Sequence, residues 1–389
     1  MHEKLERLKS ALALELPNLS RAAQASEETL KEVRRSAEGY LVDKGVLRRG
    51  ETHENLPLGL VAFGSLARQE LCTAPDTSDF DHAIVAYRAI ELPEDIQNYR
   101  VAALVAQKRS NLGDPGRTRL FGGVISSSDL INRIGLEEDT NRSHTQRMLF
   151  LEESVPIIDI VSHSITVASI LNRYLHDYQN EEEKSTLHKK GVPRFLLNDV
   201  VRYWRTIAVD YQAKRWDEVS LPEEFSDDGT EFDSPKWGLR YVKLRSSRKL
   251  AFAGTIISLF IPCILDVPVE TELLCEQFKM PPLARLAQLE QFVCEEDKVH
   301  LRRSFEIADE FAGLLNDSEF RSEVCKVQHP RNPGSNDAFR RARALTQELE
   351  ICLERLFCSK NPFLGASTKL DGDEDLLTLS GLTRRYLLF

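Results

Sequence analysis

The chain has 389 residues, and because a typical domain has ~100–200 residues, this length predicts two or three packed units. Its composition is 42% hydrophobic and 29% charged, with 19 glycines and 16 prolines, which excludes collagen-like, low-complexity and wholly disordered chains. The formal net charge of −10 disfavours a broad nucleic-acid surface, so no DNA surface is expected, although a local basic pocket is compatible with it.

The cysteines and the apolar segments indicate the compartment. The seven cysteines are an odd number without a C-x-x-C pair, which argues against a disulfide framework and a zinc knuckle. The N-terminal segment lacks the apolar core of a signal peptide. The longest uncharged run, Ala251 to Leu265, is shorter than the ~20 residues of a membrane span and contains Pro262. We therefore expect a cytoplasmic protein with reduced thiols, no membrane segment and a buried helix at this run.

The first half of the chain changes from a helical to a strand pattern. Residues 1–47 predict two helices that break near Pro17, and they are expected to brace the strands that come after them. LGLVAFGS (58–65) and FDHAIVAY (80–87) predict strands, and the turn-rich TAPDTSD lies between them. A helical or mixed segment at 101–109 and a strand with a glycine pair at 118–126 come next.

The sequence pattern of the second half predicts almost only helices. Ser126 to Asp129 has the spacing of a capping box, and Asp139 is a candidate cap for the next helix. Long helices are predicted at 192–214 and 238–261, with loops at 221–236 and 328–337. The resulting fold prediction is an α+β protein with a small mixed-sheet core (56–165), an N-terminal helical segment (1–55) and a large helical domain (166–389). A further boundary near 328–337 is an alternative within this scheme.

The segment that carries chemistry runs from Val61 to Val85. Gly64 lets backbone approach a phosphate closely, and Ser65 offers a hydroxyl and an amide to phosphate oxygens. Asp79 and Asp81 start the next predicted strand, where residues i and i+2 share a face. Two adjacent carboxylates are costly unless a cation lies between them, and carboxylates bind hard divalent metals that also bind a triphosphate. These are the parts of two-metal nucleotidyl transfer.

This signature resembles the nucleotidyltransferase superfamily of the DNA polymerase β type, whose pattern is h-G-[GS] followed by D-h-[DE]-h. Here it reads Phe63-Gly64-Ser65, a gap of thirteen residues, then Asp79-Phe80-Asp81. The longer form G-S-x-x-R-x-E, met by Arg68 and Glu70, is similar to the bacterial branch that contains the protein uridylyltransferases and their uncharacterised relatives. The resemblance covers about residues 56–155. It implies a nucleotidyltransferase core, two Mg²⁺ ions held by the aspartate pair and an NTP, such as ATP, as substrate.

Members of this superfamily usually add a third carboxylate from a later strand. The sequence offers Asp159 in the alternating segment PIIDIV, with Asp114 and Asp129 as weaker candidates. Asp159 also suits the first turn of a helix, and Asp129 suits a capping position, so the third acid stays open at this point.

Basic residues of GLRYVKLRSSRK (238–249) are candidates for a second wall of the triphosphate pocket. At ~100° per residue, Arg245, Arg248 and Lys249 fall within one third of a helix circumference, whereas Arg240 and Lys243 lie to the other side. The alternative for each of them is a solvated helix face. Arg68 is expected either to orient the Gly64-Ser65 loop or to meet a phosphate.

The predicted function is Mg²⁺-dependent transfer of a nucleoside monophosphate from an NTP to an acceptor hydroxyl, with release of pyrophosphate. The acceptor is left open between an RNA end, a protein and a second nucleotide, and a toxin or defence role follows only by analogy. The alternative is a catalytically inactive nucleotide-binding module that regulates a partner through its helical domain. The chain contains no P-loop, zincin or hydrolase motif, which removes those classes.

Overall fold

The computed structural model describes residues 2–74, 78–88, 93–116, 120–179, 191–219, 236–327, 336–364 and 378–388. Two helices come first, α1 (Glu3–Leu12) and α2 (Pro17–Asp43). Proline is tolerated at the first position of a helix because its missing N–H would have no partner there, so α2 begins at Pro17. Asp309 accepts a hydrogen bond from the Leu19 amide at 2.8 Å and thereby ties the start of α2 to a distant helix.

Four short strands form one mixed sheet in the order β3-β2-β1-β4. They are β1 (Leu58–Phe63), β2 (His82–Ala86), β3 (Val124–Ser126) and β4 (Ser154–Ile158). Strands β2 and β4 run antiparallel to β1, and β3 runs parallel to β2. The end of β1 therefore meets the beginnings of the other three strands at one edge. We call this the motif edge, because the residues after Phe63 and before His82 lie there.

Helices surround this sheet and make up most of the rest of the described chain. They are α3 (Pro93–Arg109), α4 (Ser127–Asn132), α5 (Asn141–Glu152), α6 (Ile160–Gln179), α7 (Arg194–Val219), α8 (Trp237–Lys243), α9 (Lys249–Leu265), α10 (Thr271–Lys279), α11 (Pro282–Ala287), α12 (Glu295–Asn316), α13 (Ser318–Cys325), α14 (Asp337–Phe357) and α15 (Leu379–Thr383). The predicted α+β class with a small mixed sheet is confirmed.

One uninterrupted helical stretch runs from α8 through a five-residue π-helical turn, Leu244–Arg248, into α9. Among the described residues it alone, as Trp237–Leu265, is long and apolar enough to cross a membrane, and 78% of its most apolar window is buried inside the protein. The run from Ala251 to Leu265 is thus a buried helix in this structure, and Pro262 lies within it.

Two expectations about helix ends are resolved differently. Ser126 is the N-cap of α4, because its hydroxyl accepts from the Asp129 amide. Thr140, and not Asp139, caps α5, and the Asp139 carboxylate pairs instead with the fully buried Arg147 at 2.7 Å. The loop predicted at 221–236 lies outside the described residues apart from its last one, and 328–335 of the second loop lies outside them as well.

Candidate active site

The turn after β1 brings glycine and aspartate into close contact. Gly64 has φ +71°, a left-handed conformation that favours glycine, and a Cβ added there would lie 3.1 Å from Asp81 Oδ2. The Arg68 amide bonds the Gly64 carbonyl and the Glu70 amide bonds the Ser65 carbonyl, both at 2.9 Å, so the chain folds back on itself at the motif edge. Any larger residue at Gly64 would push the turn away from the Asp81 carboxylate.

Asp79 and Asp81 lie just before β2 at the motif edge, where β1 ends and the Gly64 turn begins. A backbone bridge to Gly113 holds Asp79, and the Gly116 amide donates to Asp81 Oδ1 at 2.9 Å. Burial raises the pKa of Asp81, and the charge of Asp79 raises it further. Among the described residues, no group donates to Asp81 Oδ2 or to the Asp79 carboxylate. Carboxylate oxygens to which no described residue donates fit a divalent cation, because such cations prefer hard oxygen ligands.

A cavity of about 190 Å³ opens beside these residues. Its polar part is lined by Gly64, Ser65, Arg68, Glu70, Ser78, Asp79, Asp81, Lys243, Ser247 and Arg248. Its apolar part is lined by side chains from α2, α9, α11 and α12, among them Leu19, Leu250, Leu283 and Phe311. The cavity therefore lies between the motif edge, the N-terminal helices and the helical part of the chain. His82 does not line it, and its Nδ1 lies 2.9 Å from the Phe80 carbonyl oxygen.

The basic wall of the cavity differs from the predicted one. Arg248 lines the cavity, but Arg245 and Lys249 do not, because both pair with Glu350 of α14. Lys243, predicted to face away, lines the cavity instead. The cause is the π-helical turn, whose hydrogen bonds run from residue i to residue i+5, so that it takes up one residue more than an α-helical turn and brings positions 243 and 248 towards the same side. In a regular α-helix they would stand ~140° apart.

Lys243 is a half-buried cation to which the described residues offer no ion-pair partner. Burial lowers the pKa of its ammonium, and the nearby charge of Arg321 lowers it further, whereas Cys72 and Asp79 act in the opposite direction. A cation of this kind, facing two carboxylates across a cavity, is suited to an anion that also carries metal ions.

Arg68 and Arg248 share a buried carboxylate. Glu153, immediately before β4, accepts a hydrogen bond from Arg68. Its two carboxylate oxygens lie 2.5 and 2.6 Å from Arg248 Nη1. Burial alone would raise the pKa of Glu153, but Arg248 and Arg68 outweigh it and lower the pKa to about 2. Arg68 also bonds Glu70 through Nε at 2.9 Å. Of its two expected roles, orienting the loop is therefore the one that its contacts favour.

The candidates for the third carboxylate lie elsewhere. Asp159 follows the far end of β4, away from the motif edge, where it accepts from the Ser162 amide at 2.9 Å and the Leu56 amide at 2.7 Å. Asp114 accepts from Gln107, and Asp129 pairs with Arg133 at 3.0 Å on the surface. None of the three lines the cavity. Sequence reasoning gave no signal for Glu153, since only the fold brings it to Arg68 across 85 positions.

Comparison with family models and with curated proteins gives no match for this chain. Within the described residues there is also no cluster of three or more histidine, cysteine, aspartate or glutamate side chains arranged for a metal ion. The function is therefore inferred from the residues of the cavity.

Proposed function

We propose that the chain is a Mg²⁺-dependent nucleotidyltransferase that moves a nucleoside monophosphate from an NTP to an acceptor hydroxyl and releases pyrophosphate. One observation supports this most: the left-handed Gly64 turn lines the same cavity as Asp79, Asp81 and Lys243. Among the described residues, no group donates to the Asp79 carboxylate or to Asp81 Oδ2, and none pairs with the Lys243 ammonium. Each feature alone occurs in many proteins, but together they match the charge pattern of a metal-bound triphosphate.

Each residue has a role that follows from its contacts. The Gly64-Ser65 backbone and the Ser65 hydroxyl would hold the terminal phosphates, and Lys243 and Arg248 would neutralise charge from the opposite wall. Asp79 and Asp81 would hold the metal ions. Bound Mg²⁺ would activate the attacking hydroxyl and stabilise charge on the leaving pyrophosphate. Glu153 would keep Arg248 directed at the cavity.

The acceptor would be a hydroxyl of an RNA end, a protein or a second nucleotide. The net charge of −10 argues against an extended contact with nucleic acid but not against a single RNA end held at the cavity. Pyrophosphate is released whichever acceptor reacts, so it reports the activity before the acceptor is known.

The test is pyrophosphate release from each NTP with Mg²⁺ and a clarified cell extract as the source of acceptors. Asp79→Asn together with Asp81→Asn should lower the rate at least about a hundredfold, because metal ions supply several kcal/mol at ~1.4 kcal/mol per decade. Asp129→Asn makes the same change outside the cavity and should leave the rate unchanged. Equal rates for the double variant and wild type would refute the proposal.

The second candidate is an inactive nucleotide-binding module. The observation that favours it is that neither β3 nor β4 presents a cavity-lining carboxylate among the described residues. Such a module would be stabilised against heat by a non-hydrolysable NTP with Mg²⁺, and yet would release no pyrophosphate with any NTP or extract. Turnover thus separates the two candidates.

A further inference from the structure

The fold restricts where a third carboxylate can come from. Strand β3 pairs in parallel with β2, with Val124 opposite Ile84, so the position level with Asp81 is Phe121, followed by Gly122 and Gly123. No acid lies at this point of the described chain. On the other side of the sheet, β4 begins at the motif edge directly after Glu153, but both oxygens of that carboxylate are occupied by arginines.

Glu70 is the described carboxylate that lines the cavity besides Asp79 and Asp81. Its amide bonds the Ser65 carbonyl at 2.9 Å, so the side chain starts beside the phosphate-binding turn. The preceding residue, Gln69, has φ +60°, a conformation that non-glycine residues rarely adopt. The backbone of the turn is thus strained at Gln69, the position that returns Glu70 to the site.

The two oxygens of Glu70 have different surroundings. Oε2 accepts from Arg68 Nε at 2.9 Å, and Arg68 is itself buried and held by Glu153. Among the described residues, none donates to Oε1. The side chain is 14% exposed, at the cavity wall. One oxygen therefore fixes the carboxylate, and the other is available to a ligand.

We propose that Glu70 supplies the third carboxylate of the site, and that its Oε1 receives the proton of the acceptor hydroxyl. This inference depends on the proposed function. The acceptor oxygen forms a bond to the α-phosphorus of the NTP, the bond from that phosphorus to the bridging oxygen of the β-phosphate breaks, and pyrophosphate leaves with that electron pair. The hydroxyl proton passes to Glu70 and then to water. Arg68 is the positioning residue that holds the carboxylate in this orientation.

The competing explanation is that Glu70 serves only as the ion-pair partner of Arg68. Glu70→Gln separates the two explanations, because an amide oxygen still accepts the Arg68 hydrogen bond but the amide does not take a proton. Under the structural explanation the variant keeps its rate. Under the proposal the rate of pyrophosphate release falls about 10²–10⁴-fold, the usual contribution of general base catalysis.

The experiment compares pyrophosphate release and binding of a non-hydrolysable NTP with Mg²⁺ in wild type, Glu70→Gln and Glu70→Ala. The expected result is a large loss of rate in both variants with nucleotide affinity within about threefold of wild type. Formate added to Glu70→Ala should restore part of the rate, since a small carboxylate can occupy the vacated position. Formate should not accelerate Glu70→Gln, where the amide fills that position.

The outcomes distinguish this inference from the proposed function. If Asp79→Asn with Asp81→Asn is inactive but Glu70→Gln turns over like wild type, the assignment of Glu70 is wrong and the function stands. A wild-type protein that releases no pyrophosphate overturns both proposals.

Discussion

Lys243 and Lys249 are two lysines of one helical stretch with opposite surroundings. Lys249 pairs with Glu350 at 3.1 Å, whereas Lys243 faces the cavity without a partner among the described residues. Arg248 also faces the cavity, but removing it would leave Glu153 without one of its two arginines. Lys243 is therefore the residue through which the basic wall can be tested without disturbing a buried ion pair.

Lys243→Ala should weaken binding of a non-hydrolysable NTP about ten- to a hundredfold. A charge-assisted contact to phosphate contributes ~1.5–3 kcal/mol, and ~1.4 kcal/mol corresponds to one decade in affinity. Lys249→Ala, the matched control, should bind as wild type does. Titration calorimetry with Mg²⁺ measures both. If the two variants bound equally well, Lys243 would not contact the triphosphate.

Sequence reasoning identified the residues of the motif but not their partners. Gly64, Ser65, Asp79 and Asp81 could be found because their spacing and strand context are local properties of about 25 residues. Glu153 could not be found, because it meets Arg68 only after a sheet has formed across 85 positions. A carboxylate with two arginine partners looks the same in sequence as any surface glutamate.

At the scale of elements, the π-helical turn decides which basic residues face the cavity. The prediction of Arg245 and Lys249 assumed a regular rotation of ~100° per residue through the whole stretch. The extra residue of the π-helical turn changes this rotation only between Lys243 and Arg248. The apolar face of α9 therefore stays buried, while Lys243 lies on the same side of the helix as Arg248. π-turns of this kind often occur at functional sites, and no composition signal in LRSSR predicts one.

Strand direction likewise decided the fate of Asp159. The alternation around it predicted a strand that includes Asp159, but β4 ends at Ile158 and α6 begins at Ile160, so the alternative prediction, a position at the start of a helix, is the one that the structure shows. The sequence could not say that β4 runs antiparallel to β1 and therefore carries Asp159 away from the motif edge. There the residue adopts φ +64° and its carboxylate accepts backbone amides at the start of α6.

Asp159→Ala should therefore lower the free energy of unfolding without changing the rate of pyrophosphate release. Loss of a helix cap and of buried acceptor bonds costs ~1–3 kcal/mol, and alanine is also disfavoured at positive φ. Denaturant unfolding should show this loss, while pyrophosphate release by the folded variant should match wild type. A folded Asp159→Ala protein without turnover would return Asp159 to the site.

In the molecule as a whole, buried carboxyl and guanidinium groups connect the sheet to the helical part of the chain. Glu153 joins Arg68, next to the sheet, to Arg248 in the helical wall, with its side chain 2% exposed. Its neighbour Glu152 bonds Thr255 of α9 at 3.0 Å, and Arg285 of α11 bonds the Glu152 carbonyl at 2.8 Å. Two consecutive glutamates thus hold the cavity walls together, and their environments differ.

Burial raises the pKa of Glu152 to about 8, although Arg285 opposes the shift. An acid whose folded pKa is raised contributes stability that is fully present below its ordinary pKa, near 4.5, and is lost as the pH rises towards 8. Glu153, with a pKa of about 2, stays ionised across this interval, and its contribution is lost only when the pH falls from 4.5 towards 2. The two neighbouring glutamates therefore predict opposite pH dependences of the unfolding free energy.

The unfolding free energy of wild type should decline between pH 5 and pH 8, and Glu152→Gln should remove this decline. A single titrating group changes the unfolding free energy by at most ~1.4 kcal/mol per pH unit. Urea unfolding at several pH values measures it, and subtracting the two curves cancels the histidines that titrate in the same range. Glu153→Gln is the matched control: breaking its ion pairs should cost about 3 kcal/mol at every pH in this interval, so its curve is lower but parallel to that of wild type. If Glu152→Gln also ran parallel to wild type, Glu152 would be ionised in the folded protein, and the helical part would be held against the sheet by a second buried charge.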